Sequence, residues 1–432
     1  MLKPGDLVEL TILKPVVGGR MMARSPDGVV LVAGAIPGER VLARIERATR
    51  DVAHAATVKA LEPSAARRPL ARDPACGGLS YAHIDYPAQV QLKREVIADA
   101  LARIGRLHLA HAPPVTPSSE QAYRLRARFH VRGGRVGWFR EGTHDLCSAR
   151  GSGQIMDQAL DAIDRLVSRL PASVRDAVDT IELAENVPAT SRVLHLTPRA
   201  GERFGPALPW EDAAAPDVTG ISWSRDRGDS IEALCGVPWV ADSLEAIIPG
   251  ATRAATFEVR RHATSFFQAN RYLLPALLNA VTRWIGDGLL VDLYAGVGLF
   301  AMGACTRGAA EVIAVEGDAV SARDLDQNAR PFSPTLRVVR DSVERFLARA
   351  DPLGPRATLI VDPPRTGISR AAVQGIIAAG AARLVYVSCD VATFARDVRR
   401  FLDAGYALVH LEGFDLFPNT GHVEVVAVMD LG

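Results

Sequence analysis

From about residue 256 the sequence alternates short apolar runs with helical stretches, and this order limits the possible folds more than any other feature. The helical stretches lie at 318–329, 371–380 and 393–402. The apolar runs, which are typical of buried strands, lie at 289–293, 312–315, 359–361, 384–387 and 423–428. This order predicts an α/β fold with a doubly wound sheet, which binds ligands at the carboxyl ends of its strands.

This α/β fold is predicted to form the last domain, over residues 256–432. Two further domains are predicted before it. Apolar alternation with Gly and Pro turns predicts an OB-like β-barrel over residues 1–62, a shape that often binds single-stranded nucleic acid. Residues 63–255 are predicted as a central α+β domain that begins with a linker rich in Pro, Gly and Arg. It includes a predicted helix at 88–106, and one alternative is that this helix packs on the last domain.

The front of the chain is basic. Residues 1–150 contain 23 Lys and Arg against 14 Asp and Glu, although the whole chain has a net charge of +1. This asymmetry suggests a polyanionic partner, of which nucleic acid is the commonest, while an Arg-rich composition is the simpler alternative. No apolar run has the length of a membrane span or of a secretory signal, so we expect a cytoplasmic protein without a membrane partner.

A basic, strand-like segment follows the predicted helix. Its arginines at 124, 126, 128 and 132 alternate along the chain, which places them on one face of a strand. Such a row is usually solvated, but a hairpin with Trp138 and Phe139 comes next, and basic strands with aromatic residues also suit RNA contact.

Two motifs of the last domain predict a cofactor site. In VDLYAGVGLF a strand leads into a glycine loop that opens a helix, and Glu316 follows Gly296 after the next strand, where a carboxylate can accept hydrogen bonds from a ribose. A dinucleotide site would favour a third glycine at position 301, which is Ala, so we expect S-adenosylmethionine. In IVDPPRTG two prolines fix a turn that holds Asp362 at the same edge, although an ordinary strand-ending turn is the alternative.

Two more motifs contain reactive side chains. In VSCD, Cys389 follows a strand and precedes a helical stretch, whose dipole stabilises a thiolate. In FPNTGHVE, His422 and Glu424 come at the start of the last strand. Taken alone, Cys389 reads as a core residue, His422 as a loop residue and Glu424 as a surface carboxylate.

Together these motifs resemble those of the RNA uracil-5-methyltransferases, which make 5-methyluridine. The order VDLYAGVGLF, VDPPRTG, VSCD, FPNTGHVE is that of the family, SFFQAN at 265–270 matches its FxQxN segment, and residues 3–62 resemble its TRAM domain, an OB-like RNA-binding module. The resemblance implies a Rossmann-like methyltransferase domain. It also implies that Cys389 is the nucleophile and Glu424 the base. The residues implied to bind S-adenosylmethionine are Gln268, Tyr294, Gly296, Glu316, Asp362 and, near the adenine, Asp341.

The cysteines do not suit a metal site. The five lie at 76, 147, 235, 305 and 389, a spacing that fits neither a disulfide framework nor a zinc site, so we expect reduced thiols. TRAM-bearing relatives often bind a 4Fe-4S cluster through four cysteines. Here only Cys76 matches, and the other positions fall near Leu70, Leu79 and Ser152, so we predict that no iron–sulfur cluster is bound.

The predicted function is therefore methyl transfer from S-adenosylmethionine to carbon-5 of a uridine in RNA, by a protein that acts as a monomer. The TRAM resemblance favours 23S rRNA, and tRNA is the alternative. Methyl transfer to DNA or protein stays open. So does a noncatalytic RNA-binding protein with a vestigial cofactor domain, although the intact pair Cys389 and Glu424 argues against it.

Overall fold

The computed structural model describes residues 2–70, 72–204, 210–224, 231–248 and 257–432. Their strands form a closed barrel, a seven-stranded sheet, a strand pair and an eight-stranded sheet. Within these ranges no helix is both long and apolar enough to cross a membrane. The predicted domain boundary at 255/256 lies outside the described residues.

The N-terminal strands close into a barrel in the order β1-β2-β3-β5-β4. Their bounds are β1 (Leu7–Pro15), β2 (Met21–Ser25), β3 (Gly28–Ala33), β4 (Arg40–Ala48) and β5 (Val52–Glu62). Alternate residues such as Ile12, Val32 and Val41 fill the interior, because successive strand side chains point to opposite faces. The predicted barrel is confirmed.

The linker leads into a helix that packs against the C-terminal part of the chain. This helix, α1 (Tyr86–Arg103), begins at Asp85, whose carboxylate accepts a hydrogen bond from the Ala88 amide, and Pro87 occupies its first turn. Its apolar face, including Ile97 and Leu101, belongs to the same core as the C-terminal sheet. A short strand, β6 (Val115–Thr116), then joins that sheet at its edge.

The central part is a seven-stranded sheet in the order β13-β12-β11-β10-β7-β8-β9. Its strands are β7 (Arg126–Arg132), β8 (Arg135–Phe139), β9 (Leu146–Cys147), β10 (Val178–Glu185), β11 (Arg192–Pro198), β12 (Val218–Ser224) and β13 (Ile231–Gly236). Its helices are α2 (Ala149–Ser152), α3 (Asp157–Arg169), α4 (Ala172–Ala177) and α5 (Trp210–Ala213). The helix α3 lays Ile163 and Leu166 on the sheet beside Phe129, which builds a separate core.

Cys76 and Cys147 are joined by a disulfide, with their Cα atoms 5.6 Å apart. The expectation that all five cysteines are reduced thiols is therefore wrong for this pair. The two residues are 71 positions apart in sequence. Only the folding of the loop around Cys76 against β9 brings them together, so no local spacing could reveal the bond.

The C-terminal part is the predicted doubly wound sheet, which is confirmed, with strand order β18-β17-β16-β19-β20-β22-β21-β6. A separate pair of strands, β14 (Trp239–Ser243) and β15 (Glu258–His262), precedes this sheet. The strands of the sheet that follow β6 are β16 (Leu290–Leu293), β17 (Val312–Glu316), β18 (Leu336–Arg340), β19 (Thr358–Val361), β20 (Arg383–Ser388), β21 (Tyr406–Phe414) and β22 (Glu424–Leu431). The helices are α6 (Leu244–Ile247), α7 (Leu274–Thr282), α8 (Leu299–Thr306), α9 (Ala319–Ala329), α10 (Val343–Leu347), α11 (Arg370–Ala379) and α12 (Val391–Asp403). Strands β16 to β20 are parallel, so their carboxyl ends form one edge.

Candidate functional site

The residues predicted to bind a cofactor follow that edge. Tyr294 and Gly296 come after β16, Glu316 ends β17, Asp341 follows β18 and Asp362 follows β19. These four strands are consecutive in the sheet. The fold therefore brings together side chains that are separated by up to about 70 positions in sequence.

The glycine loop after β16 is fixed by a carboxylate from the neighbouring strand. Glu316 accepts a hydrogen bond from the Gly296 amide at 2.7 Å and another from the Asp318 amide at 2.6 Å. The loop has left-handed backbone at Gly296 (φ 57°), at Gly298 (φ 92°) and at Tyr294 (φ 60°). Such backbone is unusual for a tyrosine and is a common feature of functional sites.

A cavity of about 480 Å³ opens at the same edge, between the central and C-terminal sheets. Its wall contains Gln268 and Asp362, and the Gln268 amide donates a hydrogen bond to the Asp362 carboxylate at 3.0 Å. Cys389 and Glu424 also line it, together with the half-exposed ring of Phe266. The predicted nucleophile and base thus share one cavity with two of the predicted cofactor residues.

Strand register sets Cys389 against Glu424. Strands β20 and β22 are antiparallel, and Ser388 pairs with Val425 at the last rung. The next residue on each strand is Cys389 and Glu424, so the two face each other where the ladder ends. Cys389 is half-buried just before Asp390, which caps α12, and Glu424 is buried.

The cavity raises the pKa of its acidic groups. Burial and the carboxylates of Glu424 and Asp362 raise the pKa of the Cys389 thiol to about 12, while the Arg365 cation opposes them. Burial, and then the charge of Asp362, raises the pKa of Glu424 well above its ordinary value. Burial also raises the pKa of Asp362 to about 7. Burial therefore opposes the stabilisation of the Cys389 thiolate that is expected from the helix dipole.

The arginines of the basic segment have two different environments. Arg126 and Arg128 lie in β7, whereas Arg124 precedes that strand, so the prediction of one strand face is wrong for Arg124. Arg124, Arg126 and Arg128 line the cavity, and Arg128 is also paired with Glu182 at 2.7 Å. Arg132 is instead paired with Asp179 at 2.9 Å.

The aromatic hairpin does not present its tryptophan for base contact. Trp138 is only 8% exposed and stacks on Phe129, with ring centroids 5.8 Å apart. The guanidinium of Arg124 lies over the Trp138 ring at 5.6 Å and over the Phe417 ring at 5.7 Å. Trp138 therefore supports Arg124 at the cavity wall, a role that its position in the sequence does not reveal.

Two residues of this edge were not singled out from the sequence. Asp292, the third residue of β16, is fully buried, and its Oδ1 has no hydrogen-bond partner among the described residues. Arg365 lies in the cavity wall, where its charge acts on Cys389 and Glu424. Both lie in the motifs that predict the cofactor site, VDLYAGVGLF and VDPPRTG, so their position next to a predicted residue was the available signal.

The residues around Cys76 do not fit an iron–sulfur cluster. Cys76 is bonded to Cys147, Leu79 and Ser152 are buried, and Leu70 is exposed. A cluster of the 4Fe-4S type takes four thiolates, and none of the positions at Leu70, Leu79 and Ser152 can supply one. Across the part of the chain that the structure describes, no three candidate ligands for a metal ion lie together.

Known proteins resemble the chain along most of its length. The family model described as tRNA (Uracil-5-)-methyltransferase matches residues 355–430. An uncharacterized RNA methyltransferase of Streptomyces coelicolor is 31% identical, over 99% of this chain and 93% of its own. The 23S rRNA (uracil(1939)-C(5))-methyltransferase of Halomonas elongata is 29% identical, over 95% and 87%. The chain belongs to the RNA uracil-5-methyltransferase family.

The predicted family, enzyme class and methyl donor are thereby confirmed: this is an S-adenosylmethionine-dependent RNA methyltransferase. A solved structure agrees on the fold. It is the tRNA (uracil-54, C5)-methyltransferase of Pyrococcus abyssi in complex with S-adenosyl-L-homocysteine, which matches with a TM-score of 0.74 and 22% identity over 97% of this chain and 99% of its own.

Proposed function

We propose that this enzyme methylates carbon-5 of a specific uridine in 23S rRNA through a covalent bond between Cys389 and carbon-6 of the uracil, with Glu424 as the base. The observation that carries the proposal is the register of β20 and β22, by which Cys389 and Glu424 face each other in one cavity. A nucleophile and a base that act on adjacent ring carbons must reach the same cavity.

The residues at the sheet edge fit S-adenosylmethionine. Glu316 is positioned by two backbone amides and retains lone pairs for ribose hydroxyls, and Gly296 lets the ligand approach the backbone closely. The unpartnered Oδ1 of Asp292 adds a buried acceptor. Gln268, Tyr294, Asp341 and Asp362 complete the proposed set. When bound, this cofactor supplies a methyl group on a positively charged sulfur.

The first step belongs to Cys389. Its thiol loses a proton to water, a loss that the Arg365 cation favours, and the sulfur bonds to carbon-6 of the uracil. The electron pair of the carbon-5 to carbon-6 double bond moves to the carbonyl at carbon-4, which makes carbon-5 nucleophilic. Arg124 and Arg126 add positive charge to the cavity where this enolate develops.

The last step belongs to Glu424. After carbon-5 has gained its methyl group, the Glu424 carboxylate takes the remaining carbon-5 proton. The double bond reforms, and the bond from carbon-6 to sulfur breaks to return the thiolate. Because the uracil must reach a cavity of about 480 Å³, the target is an unpaired or flipped nucleotide.

The choice of 23S rRNA is supported by the barrel and by the Halomonas elongata relative, which acts on that RNA. We further propose that the enzyme works as a monomer in the cytoplasm, where this RNA is found. Mapping 5-methyluridine in rRNA and tRNA from a deletion strain tests the substrate. Loss from tRNA alone would show that tRNA is the substrate instead.

The catalytic roles are tested by one pair of variants. Cys389→Ala should bind RNA and form neither product nor covalent complex. Glu424→Gln should complete methylation and then stall, which leaves a methylated RNA adduct on a denaturing gel. Loss of a general base typically slows a reaction about 10²–10⁴-fold, so slow turnover persists. Turnover of Glu424→Gln at the normal rate would show that Glu424 is not the base.

A further inference from the structure

The loop 415–423 joins β21 to β22 and leads directly into Glu424. It also shapes the cavity, because the Phe417 ring lines the wall beneath Arg124. The loop contains buried polar residues: Asp415 is 0% exposed and Asn419 is 1% exposed. Each of these needs partners, and they come from parts of the chain more than 300 residues away.

Helix α1 supplies a buried ammonium group to this loop. The Lys93 Nζ donates to the Asp415 carboxylate at 2.5 Å and to the Phe417 carbonyl at 3.1 Å. Both side chains of the ion pair are essentially inaccessible, at 1% and 0% exposure. Lys93 therefore contacts the loop at the residue whose ring lines the cavity.

One turn earlier on the same face of α1, Gln89 binds the loop at a second point. Its side-chain oxygen accepts a hydrogen bond from the backbone amide of Asn419 at 2.8 Å, and its NH₂ group donates to the side-chain oxygen of Asn419 at 3.0 Å. Arg68 of the linker donates to the same Asn419 oxygen at 2.7 Å. These contacts hold Asn419 in left-handed backbone, at φ 66°.

The barrel adds a third contact. A Cβ atom placed on Gly421 would lie 2.4 Å from the Gly19 Cα, in the turn between β1 and β2, and 3.3 Å from the Tyr81 hydroxyl. Only glycine lets the two backbones approach so closely. The loop that ends at Glu424 is thus enclosed by α1, the linker and the barrel.

We propose that Lys93 and Gln89 are positioning residues, which hold the loop 415–423 so that Phe417 closes the cavity and Glu424 faces Cys389. The inference rests on the proposed role of Glu424. It assigns to α1 a part in the late step of the reaction, the removal of the carbon-5 proton, in addition to its packing on the sheet.

The charge of Lys93 favours a positioning role over a role in packing alone. Burying an ammonium and a carboxylate costs desolvation energy that apolar residues of similar volume would avoid. An ion pair instead fixes the relative placement of its two side chains, because its geometry is specific and an unpaired charge in the interior is costly. Here the ion pair fixes Asp415, two positions before Phe417, relative to α1.

The test compares Lys93→Met with Glu424→Gln in the full-length protein. A small displacement of a catalytic group can cost about 100-fold. Lys93→Met should therefore lower kcat by about 10–100-fold with KM for RNA nearly unchanged. Like Glu424→Gln, it should accumulate the methylated RNA adduct, because Cys389 still attacks while proton removal slows. Gln89→Met, which buries no unpaired charge, should do the same and decides the question if Lys93→Met fails to fold.

Two controls separate positioning from stability. Arg67→Met removes the partner of Glu39, another buried carboxylate, which lies in the barrel, and it should lower the melting temperature without adduct accumulation. The double variant Lys93→Met with Asp415→Asn should regain stability but keep the adduct. If Glu424→Gln accumulates the adduct while the folded Lys93 and Gln89 variants do not, the positioning role is wrong and the proposed function stands. If Glu424→Gln itself forms none, the proposed function and this inference both fail.

Discussion

The thiol of Cys389 should be unreactive in the free enzyme, and the extent follows from its environment. Burial and nearby carboxylates raise its pKa from an ordinary 9.0 to about 12. Only the thiolate is alkylated, so near neutral pH the reactive fraction should be about 1,000-fold smaller than in an exposed thiol. The alkylation rate should then rise about tenfold for each pH unit up to about pH 11.

The assay is alkylation by iodoacetamide, followed by peptide mass spectrometry, with a free peptide of residues 385–394 as the matched reference. Two variants separate the causes. Arg365→Gln removes the cation that favours the thiolate and should slow alkylation, whereas Glu424→Gln removes an opposing carboxylate and should accelerate it at high pH. A rate at pH 8 within tenfold of the peptide, or a plateau well below pH 11, would refute the reasoning.

Three further predictions concern stability, cofactor and RNA. Cys147→Ser opens a loop that spans 71 positions and should lower the free energy of unfolding by about 4 kcal/mol in urea titrations; a change below about 1 kcal/mol would show that the disulfide contributes little. Glu316→Ala should weaken S-adenosylmethionine binding about 10–100-fold by calorimetry, through loss of charged hydrogen bonds, and an unchanged affinity would remove Glu316 from the site. If Arg128 contacts a phosphate, Arg128→Gln should reduce the slope of log affinity against log salt by about 0.7–0.9, whereas an unaltered slope would exclude that contact.

Local patterns were sufficient to predict the ligand-binding edge of the sheet, whereas the reactive roles of Cys389 and Glu424 came from the family resemblance. The apolar runs at 312–315, 359–361 and 384–387 each fall within a strand, because a buried parallel strand requires a continuous apolar run. Polar residues placed directly after such runs, Asp362 and Cys389 among them, must then reach the carboxyl edge.

Contacts between distant parts of the chain could not be predicted in this way. Lys93 lies in a stretch with ordinary helical spacing, and its burial depends on Asp415, 322 positions later. The strand β21 mixes apolar residues with His410 and Glu412, so its alternation is weak, and it forms because β22 and β6 pair with it. The bond between Cys76 and Cys147 likewise depends on tertiary structure.

The central claim is that Cys389 bonds to carbon-6 of the target uracil and that a base then removes the carbon-5 proton. RNA that contains 5-fluorouridine tests it most directly, because fluorine at carbon-5 cannot be removed as a proton. With S-adenosylmethionine present, the enzyme should become trapped on this RNA. Peptide mass spectrometry should then find a methylated 5-fluorouridine adduct on Cys389, and none in Cys389→Ala. Product release without a trapped complex, or an adduct on another residue, would contradict the account.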